Sequence, residues 1–262
     1  MGASPTPEID AVRALLRTAV SEPGGLVVLT GAGMSAESGI ATFRDAMTGL
    51  WSKFDPAELA SEEGFRAHPQ RVWDWYAERR QSVRAAEPNA GHRALGDLHC
   101  RHPGAMVLVT QNVDDLHQRA GVSDTIRLHG DILADRWLEP CERLPACDPA
   151  NAQSGGPPHC ADCGNLVRPG VVWFGEMLPV AAIDAAEQAA QRCRLTLVVG
   201  TSGAVWPAAG LHGGRGNTVR RWSSSTGSRA RSTATRITCC VAPRRRCCRL
   251  CWTGSERALS GR

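Results

Sequence analysis

Three short apolar runs, Leu26–Leu29, Met106–Thr110 and Leu195–Val199, alternate with segments of helical patterning, and this alternation most limits how the chain can fold. Strands so uniformly apolar are buried on both faces, as in a parallel sheet covered by helices on either side. The helical segments read as Glu8–Val20, Pro56–Arg66, Pro69–Ala85, Asp114–Ala120 and Ala181–Gln191, with a further short strand at Thr125–Leu128. The expected class is therefore α/β, a Rossmann-like doubly wound parallel sheet. Ligands of such sheets bind beyond the carboxyl ends of the strands, where Gly31, Gln111 and Gly200 fall.

The run GAGMSAESGIATFR, Gly31–Arg44, directly follows the first apolar segment. Glycines after a strand let the backbone approach a ligand closely, and the N–H groups that open the next helix form a site for phosphate. A lone Gly-x-Gly is as commonly a tight turn as a binding loop. Here it is followed, in order, by TQNVDDLH at Thr110–His117, LHG at Leu128–Gly130, VVWFGE at Val171–Glu176 and GTS at Gly200–Ser202. Over roughly residues 24–211 these motifs resemble the sirtuins, NAD-dependent protein lysine deacylases.

The resemblance implies a reaction in which the acyl-lysine amide oxygen attacks C1′ of the nicotinamide ribose. Nicotinamide leaves, a general base activates the ribose 2′-hydroxyl, and the acyl group ends on ADP-ribose. His129 matches the catalytic histidine, and an ordinary pKa near 6.5 suits a base working around neutrality. Gln111, Asn112 and Asp114 match the nicotinamide and ribose pocket, and Gln111 and Asn112 are counted with the catalytic residues. Amides and carboxylates can orient a carboxamide or a ribose, although Asn112 and Asp114 also read as helix caps, a role that fits Asp115 better. Gly31, Ala32, Gly33, Phe43, Arg44, Trp51, Gly200, Thr201 and Ser202 match further cofactor contacts. Ala41 stands where most of the family carry proline, which implies a looser loop.

The VVWFGE segment would form an edge to which a substrate backbone adds as a strand, placing Val172, Trp173, Phe174, Gly175 and Glu176 at the substrate. Val171, Val172 and Phe174 read equally well as core. Tyr76 and Arg79 share a helix face, and as a pair they resemble the signature of sirtuins that remove succinyl and malonyl groups. A phenol and a guanidinium in an apolar pocket would bind a terminal carboxylate away from water. Read without the family, Arg79 is a solvated residue of the Glu78-Arg79-Arg80 charge run.

Between His129 and Val171 the pattern breaks into Pro, Cys, Asp and Gly, poor material for strand or helix. Cys160 and Cys163 form a Cys-x-x-Cys knuckle, with Cys141 and Cys147 upstream. Four thiolates would close a tetrahedral zinc site that stands in for a hydrophobic core in so small an insertion. In sirtuins the first pair is usually also Cys-x-x-Cys, whereas here Trp137 stands near its expected start and the spacing is wider. A degenerate site is the alternative. Cys100 and Cys193 read as buried helical residues. The layout is a catalytic domain over 1–211, with Rossmann-like parts at about 1–44, 105–130 and 171–211, a helical part at 45–100 and a small zinc-binding insertion at 131–170.

The net charge of +4 averages two unlike segments. Residues 212–262 hold 12 arginines and one acid, Glu256, which leaves 18 basic against 25 acidic residues before them: −7 for the body and +11 for the tail. No helix or strand template fits this tail. When Cys239–Thr253 is back-translated with GC-rich codons and read one frame over, it becomes an apolar-faced helix, so the tail reads as out of frame, with loss of a strand on the adenosine side of NAD. A basic interaction tail is the other reading. The start MGASPTPEID has neither the basic nor the apolar region of a secretory signal and no apolar run reaches membrane length, so neither a leader nor a span is expected. It is expected to be a cytoplasmic monomer acting on acylated lysine side chains of proteins, with no specific nucleic acid and no membrane as partner. NAD-binding without catalysis, mono-ADP-ribosyl transfer and nucleic-acid binding through the Cys cluster are the competing readings.

Overall fold

The computed structural model describes residues 7–41, 55–140, 147, 149, 152–201, 217–221 and 237–238, the last two segments as backbone. In chain order the elements are α1 (Pro7–Ala19), β1 (Leu26–Thr30), α2 (Pro56–Leu59), α3 (Glu62–Ala67), α4 (Pro69–Ala85), α5 (Ala90–Arg101), β2 (Met106–Thr110), α6 (Leu116–Arg119), β3 (Ile126–Arg127), β4 (Gly130–Trp137), β5 (Val167–Val171), α7 (Val180–Arg192), β6 (Leu195–Val199), β7 (Asn217–Arg221) and β8 (Ile237–Thr238). The main sheet has the order β3-β2-β1-β6-β7-β8 with every pairing parallel. It is the doubly wound arrangement expected, with the strand order reversing between β1 and β6.

Because side chains alternate along a strand, β1 serves two cores at once. Leu26 and Val28 pack with Val12 of α1, Leu95 and Leu98 of α5, and Met106, Leu108 and Leu195. Val27 and Leu29 face the opposite layer, with Val109, Leu128, Val198 and Ala186 of α7. A third cluster joins Leu59, Phe65, Val72, Trp75 and Tyr76 to Ile132, Val171 and Trp173, and so fastens the helical part to the antiparallel β4–β5 pair.

Several expectations are corrected. The single helix over 56–66 is two, because Ser61 takes an extended conformation, caps α3 by accepting from the Gly64 N–H at 3.0 Å and bridges to Phe174. The stretch after His129, read as unsuited to strands, forms β4. It is anchored by buried Ile132 and begins at Gly130, whose φ is +80° and where a Cβ would lie 2.2 Å from the Gly170 carbonyl oxygen. The segment after Leu211, which fits no strand template, supplies β7 in register with β6, Leu195 opposite Asn217. An open sheet edge offers backbone partners whatever the side chains beyond it. Cys193 is buried as expected, though as the extended C-cap that follows α7 rather than within a helix, and Cys100 is exposed on α5, whose inward positions belong to Leu95 and Leu98. Among the described residues no helix is long and apolar enough to cross a membrane.

The α5 helix has a local signal of its own. The Asn89 side chain accepts from the Gly91 and His92 N–H groups, and His92 Nδ1 accepts from the Asn89 N–H, a capping box in which histidine takes the usual acidic role. His92 lies 4.7 Å ring to ring from His117, which contacts the buried Thr30 hydroxyl through Nε2 at 3.0 Å. Burial, with the neighbouring His117 and Arg93, pushes His92 down to about 3; burial and Arg127 push His117 down to about 4. Below pH 6.5 the unfolded chain takes up two protons that the folded one refuses, so stability falls as pH drops from 6.5 toward these values. The slope is about 1.4 kcal/mol per pH unit for each histidine. His92→Gln should remove roughly half of this slope between pH 6 and pH 5, as measured by denaturant unfolding at each pH.

Candidate active site

The carboxyl ends of β1 and β6 meet backbone to backbone. The Gly31 N–H donates to the Val199 carbonyl at 3.0 Å and the Gly33 N–H to the Gly200 carbonyl at 2.8 Å. A Cβ at Gly31 would lie 2.7 Å from Thr201 Cβ, one at Gly33 2.9 Å from Gly200 Cα, and one at Gly200 2.2 Å from the Met34 nitrogen. These glycines are thus needed first to let two loops touch. After Gly31 the chain makes two short 3₁₀ turns, Ala32–Met34 and Ala36–Ser38, rather than an α-helix. The Gly33, Met34 and Ser35 N–H groups all donate to backbone carbonyls. The expected phosphate site at a helix start is therefore not formed by these amides.

A cavity of about 570 Å³ opens beside this junction and is lined by Ala32, Ser35, Gln111, Asn112, Asp114 and His129 from the sheet ends, and by Tyr76, Arg79 and Val172–Glu176 from the other side. His129 Nδ1 lies 2.9 Å from the Gln111 carbonyl. A carbonyl only accepts, so Nδ1 carries the proton and Nε2 of the neutral ring is left as the proton acceptor. Burial pushes the His129 pKa down, against the Gln111 hydrogen bond, which raises it.

Ser35 ties the polar wall together. Its hydroxyl donates to Asp114 Oδ2 at 2.8 Å and accepts from Asn112 Nδ2 at 3.0 Å. The other carboxylate oxygen of Asp114 accepts from the Leu116 N–H at 3.1 Å, while Asp115 holds the N-cap position of α6, as expected, without a side-chain cap bond. The Asp115 carboxylate points instead toward Arg119. Burial raises the Asp114 pKa, opposed by the bonds from Ser35 and Leu116. Gln111 Oε1 accepts from the Thr201 hydroxyl at 3.1 Å, while its buried Nε2 has no hydrogen-bond partner among the described residues. A buried amide donor left over at a cavity wall is set up for an acceptor brought by a ligand. A carboxamide fits this set of donors and acceptors.

On the facing wall, Tyr76 and Arg79 project from α4. Tyr76 is buried, with its hydroxyl accepting from Trp173 Nε1 at 3.0 Å. The Arg79 guanidinium lies over the Trp75 ring at 4.9 Å, and its buried Nε has no hydrogen-bond partner among the described residues. Burial lowers its pKa, partly offset by Tyr76. Arg79 is therefore a half-buried residue of the cavity wall rather than the solvated helix residue that its place in the Glu78-Arg79-Arg80 charge run suggests. In the VVWFGE segment Val171 and Trp173 are core and Val172 is half-buried, while Phe174 is 59% exposed. Val172 N–H donates to the His129 carbonyl and Phe174 N–H to the Ala60 carbonyl. The Glu176 carboxylate is engaged by Arg168, by Arg136 at 2.8 Å and by the Trp173 N–H at 2.8 Å, so it holds the turn together. Burial would raise its pKa, but these partners keep it below the usual range.

Cys147, Cys160 and Cys163 bring their sulfurs within 4.8 Å of one another, Cys147 and Cys160 at 3.5 Å. Thiolates on a tetrahedral zinc are about 3.8 Å apart, so the three fit one such ion. The Cys163 and Asp162 N–H groups lower the Cys160 pKa, favouring the thiolate that a metal needs. Trp137 donates its indole N–H to the Cys147 carbonyl, which pins this thiol-bearing loop to β4. Cys141, Phe43, Arg44, Trp51 and Ser202 lie outside the described residues. Ser35, Arg80 and Arg168 were not singled out from sequence. Ser35 stood inside the quoted motif, whereas nothing in sequence marks either arginine as buried.

The Sir2 family model matches residues 31–207. The NAD-dependent protein deacylase of Ralstonia nicotianae is 57% identical over 188 residues, 72% of this chain and 74% of that protein. Among solved structures, a Sir2 homolog–NAD complex is 41% identical with a TM-score of 0.64, covering 78% of this chain and 80% of that one. A Sir2 bound to acetylated peptide is 31% identical with a TM-score of 0.64, covering 78% and 84%. The chain belongs to the Sir2 family. As purified, the protein should carry stoichiometric zinc by elemental mass spectrometry, and Cys160→Ser should lose most of it together with several degrees of thermal midpoint.

Proposed function

We propose that the protein is an NAD-dependent protein lysine deacylase that prefers acyl groups ending in a carboxylate, succinyl and malonyl above acetyl, giving nicotinamide and O-acyl-ADP-ribose. The observation that carries the reading is His129 fixed as the Nδ1–H tautomer at a cavity whose far wall presents Arg79. When bound, NAD supplies a sugar carbon that accepts the amide oxygen as nicotinamide departs. The residues present fit it: the free Gln111 Nε2 can hold the carboxamide, and the Ser35, Asn112 and Asp114 cluster can orient ribose hydroxyls. His129 Nε2 can take the proton of a ribose hydroxyl, and Asp114 is close enough to the cavity to offset developing positive charge. Cys147, Cys160 and Cys163 would hold a zinc ion in a structural role, with Cys141 as the expected fourth thiolate. The acyl-lysine would enter along Val172–Gly175 with its chain directed toward Tyr76 and Arg79.

A mass-spectrometric assay on peptides that differ only in the acyl group tests this directly. Product should form only with NAD present, and release of free acid without dinucleotide would overturn the mechanism. Because His129 must be neutral to act and burial lowers its pKa, activity should hold as pH falls to 6.5 and decline only below that value. His129→Ala should abolish turnover. Arg79→Met should lower kcat/KM for succinyl-lysine by about 10- to 100-fold, in line with the loss of a hydrogen bond to a charged group, and acetyl-lysine far less. Equal losses on both substrates would remove the carboxylate preference.

A further inference from the structure

Trp173 does more than fill the core. Its indole N–H can donate and never accept. At 3.0 Å from the Tyr76 hydroxyl it therefore occupies a lone pair of that oxygen and cannot take its proton. No other acceptor for that proton is present in the hydrogen bonds of the described residues. Tyr76 and Arg79 line the same cavity on one face of α4. We propose that Trp173, by donating to Tyr76, turns the phenol proton toward the cavity and so acts as a positioning residue for selection of carboxylate-bearing acyl groups. The inference rests on the carboxylate preference proposed above and adds to it the residue that aims the second donor.

The indole is itself held from three sides. The Arg168 guanidinium lies 3.2 Å from the Trp173 ring centroid, Phe65 packs 5.3 Å away, and the Glu176 carboxylate bonds both Arg168 and the Trp173 N–H of the backbone. A ring packed in this way cannot swing its N–H away from Tyr76 without giving up its contacts with Arg168 and Phe65. The phenol stays protonated throughout the working range, since burial, opposed by the bond from Trp173, pushes Tyr76 up to about 12. A carboxylate entering the cavity thus meets one donor on Tyr76 and the Arg79 guanidinium, whose Nε has no partner among the described residues. An acetyl group engages neither.

The test compares wild type with Trp173→Phe, Tyr76→Phe, the double variant and Arg79→Met on peptides carrying succinyl- or acetyl-lysine at the same position. Trp173→Phe keeps an aromatic face for Arg168 but removes the N–H. It should lower the succinyl-to-acetyl ratio of kcat/KM by about three- to tenfold, mainly through KM for the succinyl peptide. In the Tyr76→Phe background it should change the ratio no further, because the indole acts through the phenol. An unchanged ratio in Trp173→Phe, or the same change in both backgrounds, overturns the proposal even where Arg79→Met still lowers the ratio. An unchanged ratio in Arg79→Met overturns the carboxylate preference itself. Should Trp173→Phe fail to fold, the wild type suffices: Tyr76 is the sole tyrosine, so its ζ-carbon gives one NMR signal. That signal should move on adding the succinyl peptide and stay put with the acetyl peptide, and no movement with succinyl overturns the proposal.

Discussion

Everything at the site depends on the contact between the ends of β1 and β6. Gly31, Gly33 and Gly200 let two backbones approach so closely that a single Cβ would collide with the facing chain. Gly200 has a positive φ of 67° in addition, so two separate steric demands fall on one residue. The contact brings Thr201 to Gln111, and the Gln111 carbonyl in turn fixes the His129 tautomer. A hydrogen-bonded chain therefore runs from a glycine junction to the imidazole. Ser35, held by the 3₁₀ turns that follow the same junction, aligns Asn112 and Asp114.

The opposite wall is secured by buried arginines rather than by apolar packing alone. Arg80 donates to the Ile132 carbonyl at 2.6 Å, the Ala134 carbonyl at 3.1 Å and Asp135 at 2.6 Å, which locks α4 to β4. Arg168 bonds Glu176 and the Val171 carbonyl while stacking on Trp173. Buried charges are tolerated only when paired and hydrogen-bonded, and both of these are. Their directionality does what an apolar cluster cannot: it sets the roll of α4 about its axis, and with it the aim of Tyr76 and Arg79.

Much of this was legible in the sequence. The three apolar runs became β1, β2 and β6 with nearly the expected ends, because uniform burial leaves a signal that local context cannot disguise. The ordered motifs marked Gln111, Asn112, Asp114 and His129, and the structure gathers all four at one cavity. What failed to show was whatever depends on a partner far along the chain. β4 looked like loop because its pairing with β5 spans the whole cysteine-bearing insertion. β7 looked shapeless because its order comes from the edge of β6 rather than from its own residues.

By itself the sequence determined the parallel sheet and the place of the cavity at its carboxyl edge, since both follow from local apolar pattern, while the resemblance of its ordered motifs pointed to His129 and the Cys-x-x-Cys knuckle pointed to a metal. Only the tertiary structure decided which imidazole nitrogen holds the proton, which carboxylate binds the first N–H of α6, that the glycines serve a contact between loops, and that Arg79 is a half-buried cation at the cavity instead of a solvated surface charge. Tautomer, capping and desolvation are set by the groups that face a side chain in space, and no spacing along the chain encodes who those neighbours are.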